Sequence, residues 1–355
     1  MSYFTKEQEE NAVALILKEC NRCENDNESS RSMSYVERDE DGYVIGLVDL
    51  GLRQIQRTIS EESNVGNQPF NQKEDTAKTR HWSMPPSIGY LTRLRKLTLY
   101  HCKSLPREIV HLAESLEEIA FHFCDELDFD ALPPEFDCLD QIIDFRIHGR
   151  TATMQRLLPI HRLKNFSNLR YLYYRGGTCL DLDTTQDMNK TNIVLQNPNQ
   201  EIFTRNSRLI QDLSSDCIKF KNSLEILEIE GGDLNEFSVA EIFSLVLPRY
   251  PNLKRLILPN NQIRSFAPII LQQIAEVPST RIRLKCFYLV GNPVLDLVSP
   301  NEMVRFEQTN LLRLLTRYEE IMCLGHGITE SSLCTTKMLL ALGKSSFSIR
   351  FRTGY

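Results

Sequence analysis

The run Met84-Pro85-Pro86-Ser87-Ile88-Gly89-Tyr90-Leu91-Thr92-Arg93-Leu94-Arg95-Lys96-Leu97-Thr98-Leu99-Tyr100-His101-Cys102 sets the reading of the whole chain. Its residues Leu94, Leu97 and Leu99 follow the spacing L-x-x-L-x-L, and Cys102 stands eight positions after the first. The alternation across Lys96 to Tyr100 is the period of a half-buried β-strand, one side apolar and the other polar. With L read as Leu, Ile, Val, Phe or Tyr, the spacing returns at Leu116, Ile119, Phe121 with Cys124, at Leu253, Leu256, Leu258 with Asn261, and at Leu284, Phe287, Leu289 with Asn292. Four further copies keep the triad without the closing Cys or Asn: Ile45, Val48, Leu50; Ile142, Phe145, Ile147; Leu169, Leu172, Tyr174; and Leu224, Leu227, Ile229.

First positions of successive copies are separated by 49, 22, 26, 27, 55, 29 and 31 residues. The two long intervals require inserted segments or degenerate repeats. Ahead of three copies stands a proline-led segment: Pro85-x-x-Ile88-x-x-Leu91, Pro106-x-x-Ile109-x-x-Leu112 and Pro133-x-x-Phe136-x-x-Leu139. Apolar residues three apart after a proline predict short helical or 3₁₀ segments whose apolar side closes the core behind each strand.

The triad with Cys or Asn in ninth place matches the leucine-rich-repeat signature, and the intervals other than the two long ones lie near its period of about 20 to 29 residues. Met84 to Leu99 resembles the plant-type repeat, which is also common in protist proteins. Asp41 to Leu50 is similar to the first strand after the N-terminal cap in that family. Tyr250-Pro251-Asn252-Leu253 to Ile263 looks more like the longer ribonuclease-inhibitor type. The resemblance spans about residues 40–300 and implies an α/β fold: a leucine-rich-repeat solenoid, or horseshoe, with a parallel β-sheet on its concave side, short helices on its convex side and helical caps at both ends. Arg53, Arg150, Gly177 and Gly232 hold the ninth position in four copies, so the side-chain ladder that ties neighbouring turns must be broken or replaced there.

The domain reading follows. Thr5-Lys6-Glu7-Gln8 has the form of a capping box and opens an amphipathic helix, so residues 1–23 are expected to cap the first repeat, whose core edge would otherwise face water. Residues 24–40 read as a polar, mobile segment. The array is expected over 41–298, with polar insertions near 61–80 and 181–222, the latter holding a helix from Glu201 to Leu213 and forming either an irregular repeat or an excursion. Ser299-Pro300-Asn301-Glu302 is another capping box, and 299–355 is expected to be the C-terminal helical cap, with Ile321 and Met322 in a truncated last strand.

With 355 residues, 41% of them hydrophobic, and a formal net charge of -6, the chain is globular in class. An acidic balance disfavours a nucleic-acid partner held by a broadly basic surface. Met1-Ser2-Tyr3-Phe4-Thr5-Lys6-Glu7 shows no basic region followed by an apolar run, so no secretory signal is expected. No stretch reaches the roughly 18 apolar residues of a membrane span, so no membrane insertion is expected. The expected address is the cytoplasm, with the nucleus as the alternative. Of ten cysteines, Cys102 and Cys124 sit at the repeat's ninth position and Cys286 within a predicted strand, and the remainder read as reduced thiols.

Period-two alternation sends the residues between the triad letters to the concave surface. There the reading gathers Tyr100, His122, Arg146, His148, Tyr171, Tyr173 and Arg175, with Glu228 and Glu230 as an acidic flank. Tyr and Arg are enriched among interface anchors, because each offers a large contact area with a polar end. Tyr and Thr also favour strands on their own account, so an exposed strand face of ordinary β-formers is the plainer alternative. The expected function is a non-enzymatic protein–protein interaction module that binds a protein or peptide. The alternative is an enzyme or enzyme-regulatory protein using a concave-face arginine, such as Arg146 or Arg175, or a histidine. No cofactor, metal or catalytic residue is assigned. Cys20-Asn21-Arg22-Cys23 lacks a second ligand pair at zinc spacing, His122 and His148 lack an accompanying nucleophile and carboxylate, and no phosphate-binding Gly-rich loop is present.

Overall fold

The computed structural model describes residues 4–21, 35–50, 81–149, 159–176, 198–263, 284–288, 292 and 320–322. The chain divides into two compact units, the first comprising Met1–Gly149 with Asn165–Asn168, the second Arg150–Lys164 with Leu169–Tyr355. It is a mixed α/β fold in which most strand pairs are parallel. No helix of the described residues is long and apolar enough to cross a membrane.

The first unit opens with α1, Lys6–Asn21. Its capping box closes in both directions: Thr5 N–H donates to Gln8 Oε1 at 2.8 Å and Gln8 N–H to Thr5 Oγ1 at 3.3 Å. Ala12, Val13, Ile16 and Cys20 form its buried stripe. The helix is tied to the strands by Glu9, whose Oε2 accepts from Val44 N–H at 3.1 Å and whose burial raises its carboxyl above the usual range.

Strands β1 (Tyr35–Arg38) and β2 (Val44–Leu50) form an antiparallel hairpin around Gly42, which turns at φ +83°. Part of the segment expected to be mobile over 24–40 is therefore a strand, because Tyr35 to Arg38 can pair with β2 across a short turn. Residues 24–34 lie outside the described residues. After β2 the pairing turns parallel, through β4 (Lys96–Tyr100), β6 (Glu118–His122) and β7 (Asp144–His148). In a separate small sheet, β3 (Trp82–Ser83) pairs with β5 (Cys102–Ser104).

Leu97, Ile119 and Phe145 share one register, as do Leu99, Phe121 and Ile147, and all six are buried. The three proline-led segments are 3₁₀ helices at Pro86–Tyr90, Arg107–Leu112 and Pro134–Cys138. Ile88, Ile109 and Phe136 project from them into the same core. Cys124 Sγ donates to Leu99 O, one turn back, at 3.6 Å and to His122 O at 3.4 Å, so the ninth-place thiol links successive turns.

The second unit contains the short helix α2 (Ile160–Leu163), then β8 (Tyr171–Arg175), α3 (Pro198–Ser214), β9 (Ile226–Glu230), α4 (Glu236–Glu241), β10 (Arg255–Ile257), β11 (Cys286–Tyr288) and β12 (Glu320–Met322). Its strands pair in parallel in that order, with Leu172, Leu227, Leu256, Phe287 and Ile321 in one register. α4 continues through a π turn, Ile242–Val246, and a 3₁₀ turn, Leu247–Arg249. Strand β12 overlaps the expected last strand, whereas the rest of 299–355 lies outside the described residues.

The two long intervals resolve in the same way. β2 pairs directly with β4, and β8 with β9, so neither gap contributes a strand between its neighbours. In 181–222 the described part is α3 and a 3₁₀ turn, Lys219–Asn222, packed by the buried Leu209, Ile210, Leu213 and Phe220. The described part, residues 198–222, adds no strand between β8 and β9. Residues 61–80 lie outside the described residues.

In the second unit the ninth-place side chain is Asn261, buried to 2% exposure. Its Nδ2 donates to Ile229 O at 2.8 Å and Pro259 O at 3.0 Å, while its Oδ1 accepts from Gly232 N–H at 2.9 Å and Leu234 N–H at 3.1 Å. Asn292 repeats part of the pattern, donating to Leu258 O at 2.6 Å and accepting from Ile263 N–H at 3.2 Å. Gly232 offers no side chain of its own, and the ladder is replaced there. Asn261 reaches in from the following turn, and Asn206 of α3 donates to Asp233 O at 2.9 Å. The other positions lacking Asn or Cys (Arg53, Arg150 and Gly177) lie outside the described residues.

Candidate functional site

The candidate residues fall into two groups, one in each unit. In the first unit the strand register sets Tyr100, His122 and His148 side by side at the ends of β4, β6 and β7. Their rings touch in sequence: Tyr100 stacks on His122 with centroids 4.6 Å apart, and His122 meets His148 edge-on at 5.5 Å. Two residues not picked out from the sequence extend the cluster. Phe123 lies 4.8 Å from His148 and 6.0 Å from His101, whose ring stands 5.8 Å from His81.

A positional signal could have found them. His101 and Phe123 each precede the ninth-place residue, as do Asn260 and Gly231, and all four turn at positive φ, between 52° and 58°. Asn and Gly adopt that conformation readily, whereas a bulky side chain does so at a cost. Phe123 is held there by its ring contacts and by its N–H, which donates to His148 O at 2.7 Å. The turn that links each strand to its ladder residue thus lifts an aromatic side chain into the cluster.

Arg146 does not stand apart as an anchor. Its Nε and Nη2 donate to the two oxygens of Asp144 on the same strand at 2.8 and 2.5 Å, a bidentate pair. At the start of the strands Lys96 Nζ lies 3.5 Å from Glu118 Oε1. The His122 imidazole is pushed down to about 4, first by burial and then by the nearby His148 and Arg146, so it is neutral at physiological pH.

That depression predicts acid sensitivity. Between about 6.5 and 4 the folded chain binds fewer protons at His122 than the unfolded chain. The stabilisation is therefore full above about 6.5 and is lost as pH falls towards 4. After allowance for the partial exposure of the ring, the melting temperature of the wild type is expected to drop across this window by roughly 3–6 °C more than that of His122→Gln. Calorimetric scans of both proteins at several pH values check this, and parallel curves would remove His122 from the account.

In the second unit, the residues read as aromatic anchors and acidic flank are joined to one another. Tyr171 hydroxyl donates to Glu228 Oε2 at 2.5 Å, and Tyr173 hydroxyl to Glu230 Oε2 at 2.8 Å. Arg175 Nε lies 3.4 Å from Glu230 Oε1, which also accepts from Asn260 Nδ2 at 3.0 Å. Burial and the hydrogen bond to Glu230 raise the Tyr173 phenol, so it stays a neutral donor. The pairs are diagonal: Tyr171 stands in register with Ile226 and Tyr173 with Glu228, so each hydroxyl reaches two residues further along β9.

Among the described residues no group of three or more His, Cys, Asp or Glu side chains is placed to hold a metal ion. Burial pushes the Cys102 thiol up to about 12 and the Cys124 thiol well above its usual range, opposite to what a thiolate nucleophile needs. Cys20 is buried on α1, and Cys23 lies outside the described residues.

No protein-family model matches the chain, and no curated protein matches it. Among solved structures the chain is similar to a leucine-rich repeat (LRR) protein of Leptospira interrogans, at 14% identity, over 64% of this chain and 79% of that chain, with a TM-score of 0.23.

Proposed function

We propose that this chain is a non-enzymatic protein-interaction module built on a leucine-rich-repeat solenoid, binding a protein or peptide on the concave strand face. In this reading α1 caps the first edge of the array, and the second cap is assigned to residues 299–355, nearly all of which lie outside the described residues. The observation that carries the reading is the parallel register, which turns residues far apart in sequence into ordered rows on the outward side of the strands. Tyr100, His122 and His148 form one such row, and Tyr173 with Glu228 another. Such rows offer partly exposed aromatic rings beside fixed polar groups, the composition favoured at interface cores.

The arginine-based enzymatic alternative has less support. Arg146 is engaged by Asp144 and Arg175 by Glu230, so an arginine acting in trans on a substrate would first have to break an existing ion pair. A cytoplasmic address, with the nucleus as the alternative, and a partner other than nucleic acid complete the proposal, in keeping with the net charge of -6.

The test is affinity capture from the source cell with the wild type and with Tyr171→Ala, Tyr173→Ala and Arg175→Ala combined. A partner held by the wild type is expected to be lost from the triple variant while the circular dichroism spectrum is unchanged. Retention of every specific partner by the folded variant would overturn the assignment of this face.

A further inference from the structure

In the second unit the run from α4 through its π and 3₁₀ turns, Glu236 to Arg249, carries a feature that the strand face does not explain. Ala240, Ile242, Phe243 and Val246 are buried, and the Phe243 ring meets Phe287 of β11 at 5.5 Å, so this side of the run packs on the core side of the strands. Away from them, Phe237 is 56% and Leu245 40% exposed, two of the four large hydrophobic side chains left exposed among the described residues. Glu241 stands one turn after Phe237 and one turn before Leu245, so the three share a helix face.

The Glu241 carboxylate is half-buried, and no side chain among the described residues donates to it or pairs with it. Its burial raises its carboxyl above the ordinary range. The cation on the same run is turned elsewhere. Arg249 Nη1 donates to Leu245 O at 2.6 Å, and its Nε lies 3.9 Å from Asp216. Exposed apolar groups thus flank an acid that has lost part of its water and has no side-chain partner among the described residues, an arrangement that a matching cation would complete. The π turn lies within the same stretch, and such turns recur at functional sites.

We propose that the face formed by Phe237, Glu241 and Leu245 docks an amphipathic helix of a partner protein that presents Lys or Arg between two apolar side chains. The partner's cation replaces the hydration that Glu241 has lost, while Phe237 and Leu245 supply apolar contact and shield the ion pair from bulk water. An amphipathic helix carries its own anchors one turn apart, so it can set two apolar side chains and a cation against Phe237, Leu245 and Glu241 together. An anionic lipid surface would instead be repelled by the carboxylate. The surface lies on the other side of the sheet from Tyr171, Tyr173, Glu228 and Glu230, so both can be occupied at once.

The test uses the full chain and a displayed library of random helical peptides, followed by fluorescence-anisotropy titration of an enriched peptide. Enriched sequences are expected to carry Lys or Arg flanked by apolar residues one turn away on each side. Glu241→Lys is expected to weaken binding by about tenfold or more, and a peptide whose cation is changed to Glu should bind that variant better than it binds the wild type. Phe237→Ser with Leu245→Ser should abolish binding while Glu241→Gln retains the wild-type circular dichroism spectrum. The proposal is overturned if the enriched peptides lack a cation or bind Glu241→Lys as tightly as wild type. It is equally overturned if sedimentation shows the face buried in a dimer of this chain, or if phosphatidylserine vesicles bind through Phe237.

Discussion

Leu256→Asp is expected to unfold the second unit's strand array cooperatively. Leu256 is fully buried, in register with Leu227 on one side and Phe287 on the other. A carboxylate there would lose its hydration with no cation to receive it, and the backbone groups around it already serve the strand ladder. Such a burial costs on the order of 4 kcal/mol or more, a large share of the stability of an ordinary domain. β10 pairs with both β9 and β11, so loss of its core residue removes support from both neighbouring strands. Urea denaturation followed by circular dichroism should show the midpoint falling steeply or the folded baseline missing. The contrasting substitution Lys254→Asp, at an exposed site one residue before β10, exchanges the 2.6 Å surface pair with Glu225 for a solvent-screened repulsion and should shift the midpoint far less. A folded Leu256→Asp protein of near-normal stability would refute the assignment of the triad to the core.

Asn261→Leu is expected to have the second largest effect, although it substitutes a more apolar side chain into a buried site. Asn261 Oδ1 is the acceptor for the N–H groups of Gly232 and Leu234, and its Nδ2 serves the Ile229 carbonyl. Leucine fills a similar volume but leaves two buried donors without that acceptor. At about 1–3 kcal/mol for each, the loss should approach about 3 kcal/mol, offset only in part by the added apolar contact. The Pro259 carbonyl is affected less, because it also accepts from Gly231 N–H at 3.1 Å. Equilibrium unfolding measures the loss, and hydrogen exchange should localise it to the amides of Gly232 and Leu234. Unchanged protection of those two amides would show that the ladder is not what holds this turn.

Much of the strand architecture was legible in the triads. Leu97, Leu99, Ile119, Phe121, Phe145 and Ile147 are buried where the period of two placed them, and the proline-led segments are short 3₁₀ helices on the core side. The helix read from Glu201 to Leu213 is Pro198–Ser214, because its buried stripe of Leu209, Ile210 and Leu213 follows the helical period. Strand β1 was missed, since Tyr35 to Arg38 lies in polar surroundings and its pairing depends on a turn that brings it back along β2.

The candidate residues were legible as positions on a face and much less as chemistry. Alternation placed Tyr171, Tyr173, Glu228 and Glu230 on the outward side of their strands, and register set each tyrosine against a glutamate 57 residues further along the chain. Treating Arg146 and Arg175 as anchors overlooked Asp144 and Glu230 as their partners. Those ion pairs arise from side-chain reach along a strand and across a pair, which spacing does not encode.

By itself the sequence determined which side chains face the core, because alternation and the turn-by-turn recurrence of apolar residues are local properties of an extended or helical backbone. Only the tertiary structure decided which strands meet. β2 finds β4 and β8 finds β9 across long intervening segments, through backbone hydrogen bonds available to any extended strand. Those meetings in turn decided which hydroxyl met which carboxylate, and that a glycine in the ladder could be served by an asparagine from the next turn. Contacts of this kind depend on distance in space between residues remote in the chain, and no local period records that distance.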